Sequence, residues 1–292
     1  MAGDLVLVKN LNVGGLAKPV TALVNKVSLA LGGPFVGAFR PMQIRRVAEA
    51  EADAIRIHGQ ADADVAEIRQ RTANRLLAQE MRNQANIESI MEKAIPHVTD
   101  EAEPEQMDDD WIVNWSEKCR IVSDEQIQEM WARILAGEAN NPGTFSRKTI
   151  NILADMDKTD AERFAFLLNF AWAIGSRIAP MVYLDDDFFE KYELNLEALA
   201  DLESLGLISL GSLPYGLSFG GTTFRAAYFD RVVEITLSKE DNNFLSTGNV
   251  MLTPAGQQIG SICRVKPIEG FFDFIYRKWE ADSEVKSVSI LG

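Results

Sequence analysis

Phe164-Ala-Phe-Leu-Leu-Asn-Phe-Ala-Trp-Ala-Ile174 is eleven residues long and has one polar side chain, Asn169. Thr159 and Glu162 stand just upstream at capping-box spacing. The segment Asp160–Ile174 therefore reads as a helix that is apolar nearly all round, and such a helix is buried. This reading decides the fold class, because it makes the centre of the chain helical.

The flanks extend the same picture. Upstream, Ser123 and Gln126 form a capping box for a helix Asp124–Ala136. Its inner face is Ile127, Met130, Trp131, Ile134 and Leu135, and Gly137 ends it. Ser146 caps a further helix through Ile150, Ile152 and Leu153. Downstream, after Asp185-Asp186-Asp187, Asn195 caps Leu196–Leu205 and Gly206 stops it. Leu207–Leu210, Thr222–Tyr228, Val232–Leu237 and Asn249–Leu252 read as strands, with a turn at Asp241-Asn242-Asn243. Thr253-Pro254 opens a helix to about Cys263, and Phe271–Trp279 is a last amphipathic helix. Helix, hairpin and helix in this order suggest a winged-helix-like unit. The expected fold is mainly α with a small α+β part: a long N-terminal helix, a helical central domain and a C-terminal winged-helix-like unit.

The long helix is expected from Pro41 to Ile95. Val47-Ala-Glu-Ala-Glu-Ala-Asp-Ala54 is nearly pure helix former. Val47, Ala50, Ala54, Ile57, Ala61, Val65, Ile68, Thr72 and Leu76 recur at steps of three and four, with Gly59 as a weak point and Pro96 as the stop. An extended helix of this length reaches roughly 80 Å, beyond an ordinary domain. It either folds back as a hairpin or buries its Ala-rich seam against another copy. The expected assembly residues are Val47, Ala50, Ala54, Ile57, Ala61, Val65, Ile68 and Leu76.

Charge is unevenly distributed. The chain has 29 bases and 43 acids, a net charge of −14. Residues 1–46 hold Lys9, Lys18, Lys26, Arg40, Arg45 and Arg46 against Asp4 alone, so this head is +5 and the remainder −19. Leu16, Val20, Leu23, Val24, Val27 and Leu31 fall on one helical face behind Pro19, and Gly32-Gly33-Pro34 ends the helix. A basic amphipathic head can lie on an anionic membrane or pack on protein. The residues expected at that contact are Leu16, Lys18, Val20, Leu23, Lys26, Val27, Leu31, Arg40, Arg45 and Arg46. The uncharged stretch Val27–Phe39 is too short to span a bilayer and lacks the layout of a secretory signal.

Division by composition gives a head 1–40, a long helix 41–96, an acidic linker 97–110, a helical domain 111–184 and the winged-helix-like unit 185–292. The acidity argues against nucleic acid, which needs a basic face. The expected recognition helix Leu196–Leu205 carries Glu197, Asp201 and Glu203 and no base, so it would contact protein rather than DNA. Two cysteines and two histidines support neither a disulfide framework nor a metal cage.

Chemical motifs are sparse. Gly216-Leu-Ser-Phe-Gly220 matches the nucleophile-elbow pattern, but its flanks read as a hairpin and both histidines lie far upstream. His97 reads as a surface residue. Cys119, between Lys118 and Arg120, is either an activated thiol or a buried structural one. Asp108–Asp110 and Asp185–Asp187 leave open a metal-dependent hydrolase, although the Asp-rich linker lacks the calcium-loop pattern. No cofactor is implied.

Gln43-Ile-Arg-Arg-Val-Ala-Glu-Ala-Glu-Ala-Asp, Asn86-Ile-Glu-Ser-Ile, Asp108-Asp-Asp-Trp111 and Val122-Ser-Asp-Glu-Gln-Ile-Gln-Glu-Met-Trp-Ala-Arg-Ile-Leu-Ala-Gly-Glu-Ala139 run together with Pro142-Gly-Thr-Phe-Ser-Arg-Lys-Thr149. This pattern resembles an uncharacterised bacterial domain-of-unknown-function family and, more distantly, is similar to the Abi-alpha abortive-infection family. The resemblance implies a bacterial or prophage setting and phage defence, and it supplies no catalytic residues. The expectation is a non-enzymatic, cytoplasmic homo-oligomer, with its head peripheral on the inner membrane. A soluble scaffold or regulator that binds a protein through the winged-helix-like unit is the alternative.

Overall fold

The structure is a computed structural model. It describes residues 17–31, 63–190, 192, 194, 196–219, 221–241 and 243–291. The chain divides into two compact units, Met1–Arg147 and Lys148–Gly292.

The first unit is helical. Its described elements are α1 (Lys18–Ala30), α2 (Ala63–Ala94), α3 (Asp109–Cys119) and α4 (Glu125–Asn140), with short 3-10 turns at Ile95–His97 and Pro104–Gln106. Pro19 sits in the first turn of α1, where its missing N–H costs nothing. Pro96 lies in the turn that follows α2. Asp108 caps α3, its carboxylate accepting from Trp111 N at 2.7 Å. Asp124, not Ser123, caps α4, accepting from Gln126 N at 2.9 Å and Ile127 N at 3.1 Å. The core is built around Trp111, Trp115 and Trp131, with Ile87, Ile90, Ile112, Ile134 and Leu135. Trp111 Nε1 donates to Phe145 O at 2.7 Å and Trp115 Nε1 to Trp131 O at 3.3 Å. These bonds offset the cost of burying the indole N–H groups.

Gly137 does not end α4, which runs three residues further. It is small because the Phe145 ring crosses the helix there: a Cβ at this position would lie 2.7 Å from that ring. A close approach, not a left-handed cap, explains the glycine.

The second unit overturns the expected fold class. The protein is α+β, about 53% helix and 21% strand among the described residues, which is too much strand for a mainly α chain. After α5 (Arg147–Asp155) comes α6 (Lys158–Leu168), whose capping box is Asp157 with Asp160 rather than Thr159 with Glu162. Helix α6 stops at Leu168. Ala171–Ile174, expected to continue it, is strand β1, and it turns through Gly175-Ser176 into β2 (Arg177–Pro180). Gly175 has φ +59°, which the tight hairpin requires. Trp172 and Ile174 are buried and Ala173 is exposed, a period of two. An apolar run alone does not distinguish a buried helix from a buried strand. Here the helix takes the first half and the strand the second.

The winged-helix expectation also fails. Past α7 (Leu196–Ser204), the chain forms β3 (Ile208–Phe219), β4 (Thr223–Tyr228), β5 (Arg231–Leu237) and β6 (Asn243–Leu252). They are followed by α8 (Pro254–Gly260), α9 (Phe271–Ala281) and β7 (Val285–Leu291). The β4–β5 hairpin does not form a wing beside β3. It lies inside an antiparallel sheet ordered β2-β1-β4-β5-β7, while β3 and β6 pair separately as a two-stranded ribbon. The β2 edge of the larger sheet is occupied by an amide: Gln257 Oε1 accepts from Ile178 N at 2.8 Å and Nε2 donates to Ile178 O at 2.7 Å. This blunts an edge otherwise open to another strand.

An aromatic layer joins this sheet to α9. Trp172 stacks on Phe272, with centroids 5.2 Å apart, and meets Trp279 edge-on at 4.6 Å. Tyr228 Oη donates to Asn169 O and accepts from Ile268 N, each at 2.8 Å, which ties the loop before α9 to the end of α6.

Candidate functional site

Helix α2 is 32 residues long, about 48 Å at 1.5 Å per residue. Its C-terminal third is built into the first unit. Asn83, Asn86, Ile87, Ile90, Met91 and Ala94 are buried there, and α4 is its chief neighbour. Asn86 Nδ2 donates to Arg120 O at 2.8 Å. Lys93 Nζ donates to Ser89 Oγ at 2.7 Å and to Gln128 Oε1 at 2.9 Å, and buried Gln128 donates in turn to Val122 O. The turns before Asn83 carry no buried residue from Ala66 to Arg82. Ile68 is 54% exposed and Leu76 is 56% exposed. Side chains of this size stay in water at a cost unless something covers them. Arg69, Arg71, Arg75 and Arg82 share that exposed stretch with Glu67 and Glu80, so it is basic in a strongly acidic protein.

Of the eight expected assembly residues, Ile68 and Leu76 are therefore exposed on α2. Val65 lies in α2, and no more is described of it. Val47, Ala50, Ala54, Ile57 and Ala61 lie outside the described residues.

The basic head behaves differently. Val20, Leu23, Val24 and Val27 are buried by the chain itself, α1 packing on α3 and on the Pro104–Gln106 turn. Lys26 Nζ closes the contact on Asp109 at 2.6 Å. The face that could have entered lipid is covered. Lys18 is exposed and Leu31 partly so. Leu16, Arg40, Arg45 and Arg46 lie outside the described residues.

The densest polar geometry lies where the sequence pattern is most specific. Glu138 is buried, and its carboxylate accepts from Gly143 N at 2.6 Å and Phe145 N at 2.8 Å. It ties down the loop that carries Phe145 over Gly137. Asn140 Oδ1 accepts from Thr99 N at 2.9 Å and Nδ2 donates to His97 O at 2.9 Å. Arg147 pairs with Asp108 at 3.1 Å and Asp110 at 3.2 Å. Burial opposes ionisation of Glu129, but Arg133 at 3.1 Å and His97 at 3.2 Å outweigh it and hold the carboxyl below its usual range. These groups satisfy one another and fix the loops around α4.

Several of the candidate catalytic groups are buried or paired, while Asp185 and Asp187 are exposed. Cys119 is fully buried, its thiol 3.7 Å from Ser116 O, and desolvation pushes its pKa well up. That removes the thiolate a nucleophile needs. Ser218 sits inside β3 opposite Phe244, not on a strand-to-helix elbow. Asp108, Asp109 and Asp110 are engaged by Arg147 and Lys26. Asp186 accepts from Phe188 N at 3.1 Å and pairs with Lys278 at 2.9 Å. Among the described residues, no group of three or more His, Cys, Asp or Glu side chains is placed to hold a metal. No described helix is long and apolar enough to cross a membrane.

A helical first unit and a sheet-containing second unit make this an α+β protein. The chain belongs to the family described as protein of unknown function, DUF2806, which matches residues 70–276. The match takes in α2 from Gln70 onward, the first unit beyond α2 and most of the second, and leaves residues 1–69 outside it, Ile68 among them. No curated protein and no solved structure matches the chain.

Proposed function

We propose that the protein is a non-enzymatic, self-associating bacterial protein whose assembly element is α2. The observation that carries this is the stretch of α2 that no described residue covers, with Ile68 and Leu76 exposed. A well-knit unit surrounds the other end of the same helix, so the exposure is local. For the setting, we propose phage defence in the cytoplasm, on the sequence likeness to the abortive-infection family. Light scattering on the full chain tests the assembly reading. A mass of two or more chains at micromolar concentration is expected, and a monomer would sink it.

Attachment to the inner membrane through residues 1–46 is a second reading, favoured by the +5 charge of that head. With the apolar face of α1 packed inward, attraction to anionic lipid would be mainly electrostatic, about 1 kcal/mol per base near the surface. Co-flotation with phosphatidylglycerol vesicles should then be lost in high salt. Failure to float at low salt ends this reading and leaves the assembly reading untouched.

A further inference from the structure

The exposed and buried parts of α2 are one continuous stripe. Ile68, Thr72 and Leu76 continue through Gln79 to Asn83, Ile87, Ile90 and Ala94 in steps of four, four, three, four, four, three and four. The repeat is eleven residues: Ile68 recurs as Gln79 and Ile90, Thr72 as Asn83 and Ala94, and Leu76 as Ile87. Eleven residues over three turns is 3.67 per turn, close to an undistorted helix, so the stripe runs nearly straight. From Asn83 onward it is buried in the first unit. Before Asn83 the same face is exposed at Ile68, Thr72 and Leu76, with no cover among the described residues.

We propose that a second copy of this chain covers it, the two α2 helices lying parallel and in register from Ala66 to Glu80 and splaying apart where α4 takes over the stripe. This deepens the assembly reading above and rests on it. The occupant follows from the edges of the stripe. In a parallel pair, one edge of each helix faces the opposite edge of its neighbour, a residue facing the one five places on. This places Arg75 against Glu80 of the other copy, twice by symmetry. Ile68, Thr72 and Leu76 each meet their own counterpart in the seam. In an antiparallel pair, by contrast, like edges face each other and Arg75 has no Glu80 opposite it.

Same-position cross-linking reads the register directly. The full chain would carry Cys263→Ser, with Cys119 left buried, and one added cysteine at a time. Ile68→Cys and Leu76→Cys should each form a disulfide-linked dimer on mild oxidation, because parallel in-register positions meet themselves. Asn74→Cys, on the opposite side of the helix, should not. Dimers at Asn74→Cys as strong as at the other two would mean random collision and overturn the proposal. Should Ile68→Cys link only when mixed with Leu76→Cys, the pair is antiparallel. That outcome overturns the register while leaving self-assembly standing. A monomer by light scattering overturns both. Charge reversal gives a second readout. Glu80→Arg alone should weaken the dimer roughly tenfold by setting like charges together, and adding Arg75→Glu should restore it. Equal weakening by the single and double variants would also overturn the arrangement.

Discussion

Helix α2 carries one repeat through two environments. From Asn83 to Ala94 the stripe holds two isoleucines, Ile87 and Ile90, with Asn83 and Ala94, and all four are buried. From Ile68 to Leu76 it holds Ile68, Thr72 and Leu76, and all three are exposed. The residues are of comparable size and apolarity, so the difference does not lie in the helix. It lies in where α4 begins: Glu125 is its first residue, and the chain before it is spent on the Asp124 cap and the turn from α3. An amphipathic pattern therefore states that a face must be covered and says nothing about what covers it. Helix α1 makes the same point from the other side. Its apolar face suits a membrane equally well, and the structure packs it on α3.

The contrast is broken most severely by removing the wall of the covered half. Trp131 is fully buried in α4, and Trp131→Ala should cost about 3–5 kcal/mol. Denaturant melts would show it, and an unchanged midpoint would mean that the ring is not core.

The next effect sharpens the comparison within the stripe itself. Ile68 and Ile90 occupy equivalent places in the repeat. Ile90→Ala should lower stability by roughly 2–5 kcal/mol, the cost of a cavity in a packed core. Ile68→Ala should stay within about 0.5 kcal/mol in the dissociated chain, as exposed substitutions do, and should show its effect only as a shift in mass with concentration. Equal losses of stability at both positions would show that something in the same chain covers Ile68.

How far the sequence could be read follows from this. The long helix was legible over its described part because Ala, Glu, Arg and Gln leave no competing pattern. The α4 core face was legible because its apolar residues repeat at helical spacing: Ile127, Trp131, Ile134 and Leu135 are buried, and Met130 is half-buried. Phe164–Ile174 was not, because a run without polar residues carries no period. The usable signal was Gly175-Ser176, a hairpin dipeptide between two four-residue segments. Strand β7 went unread although Val285, Val288 and Leu291 lean inward at intervals; its pairing with β5 is decided by distant residues. The winged-helix reading comes close on the helices and on the β4–β5 hairpin, but it takes only the start of β3 and the end of β6, and it lacks β1, β2 and β7, on which the strand order depends. At the candidate site, the side chains Ile68 and Leu76 were visible and their exposure was not, since a stripe reads the same with or without a cover.

The smallest effect asks whether the contrast between covered and uncovered surface extends to charges. On the exposed stretch of α2, Glu67 and Arg71 approach to 3.7 Å with both side chains 69% exposed, and breaking that pair should change nothing measurable. In the second unit, Asp186 pairs with Lys278 at 2.9 Å, and the two side chains are 27% and 32% exposed. Lys278 also lies 4.3 Å from the centre of the Tyr183 ring. Burial pushes the Asp186 carboxyl up, but the Lys278 ammonium and the Phe188 N–H outweigh it, so its pKa falls below the usual 3.8. A carboxyl depressed in the folded state adds stability that is fully present above its unfolded value. That stability fades as the pH drops through the folded value. With both partners about one-third in water, the contribution should stay under about 1 kcal/mol. Asp186→Asn should therefore lower the melting temperature slightly at pH 7, and the difference from the native chain should shrink as acid protonates the native carboxyl. Lys278→Met should flatten the acid limb below about pH 4. An acid limb identical in the native chain and in both variants would show that the pair is as inert as Glu67–Arg71, and that shelter from water does not separate the two.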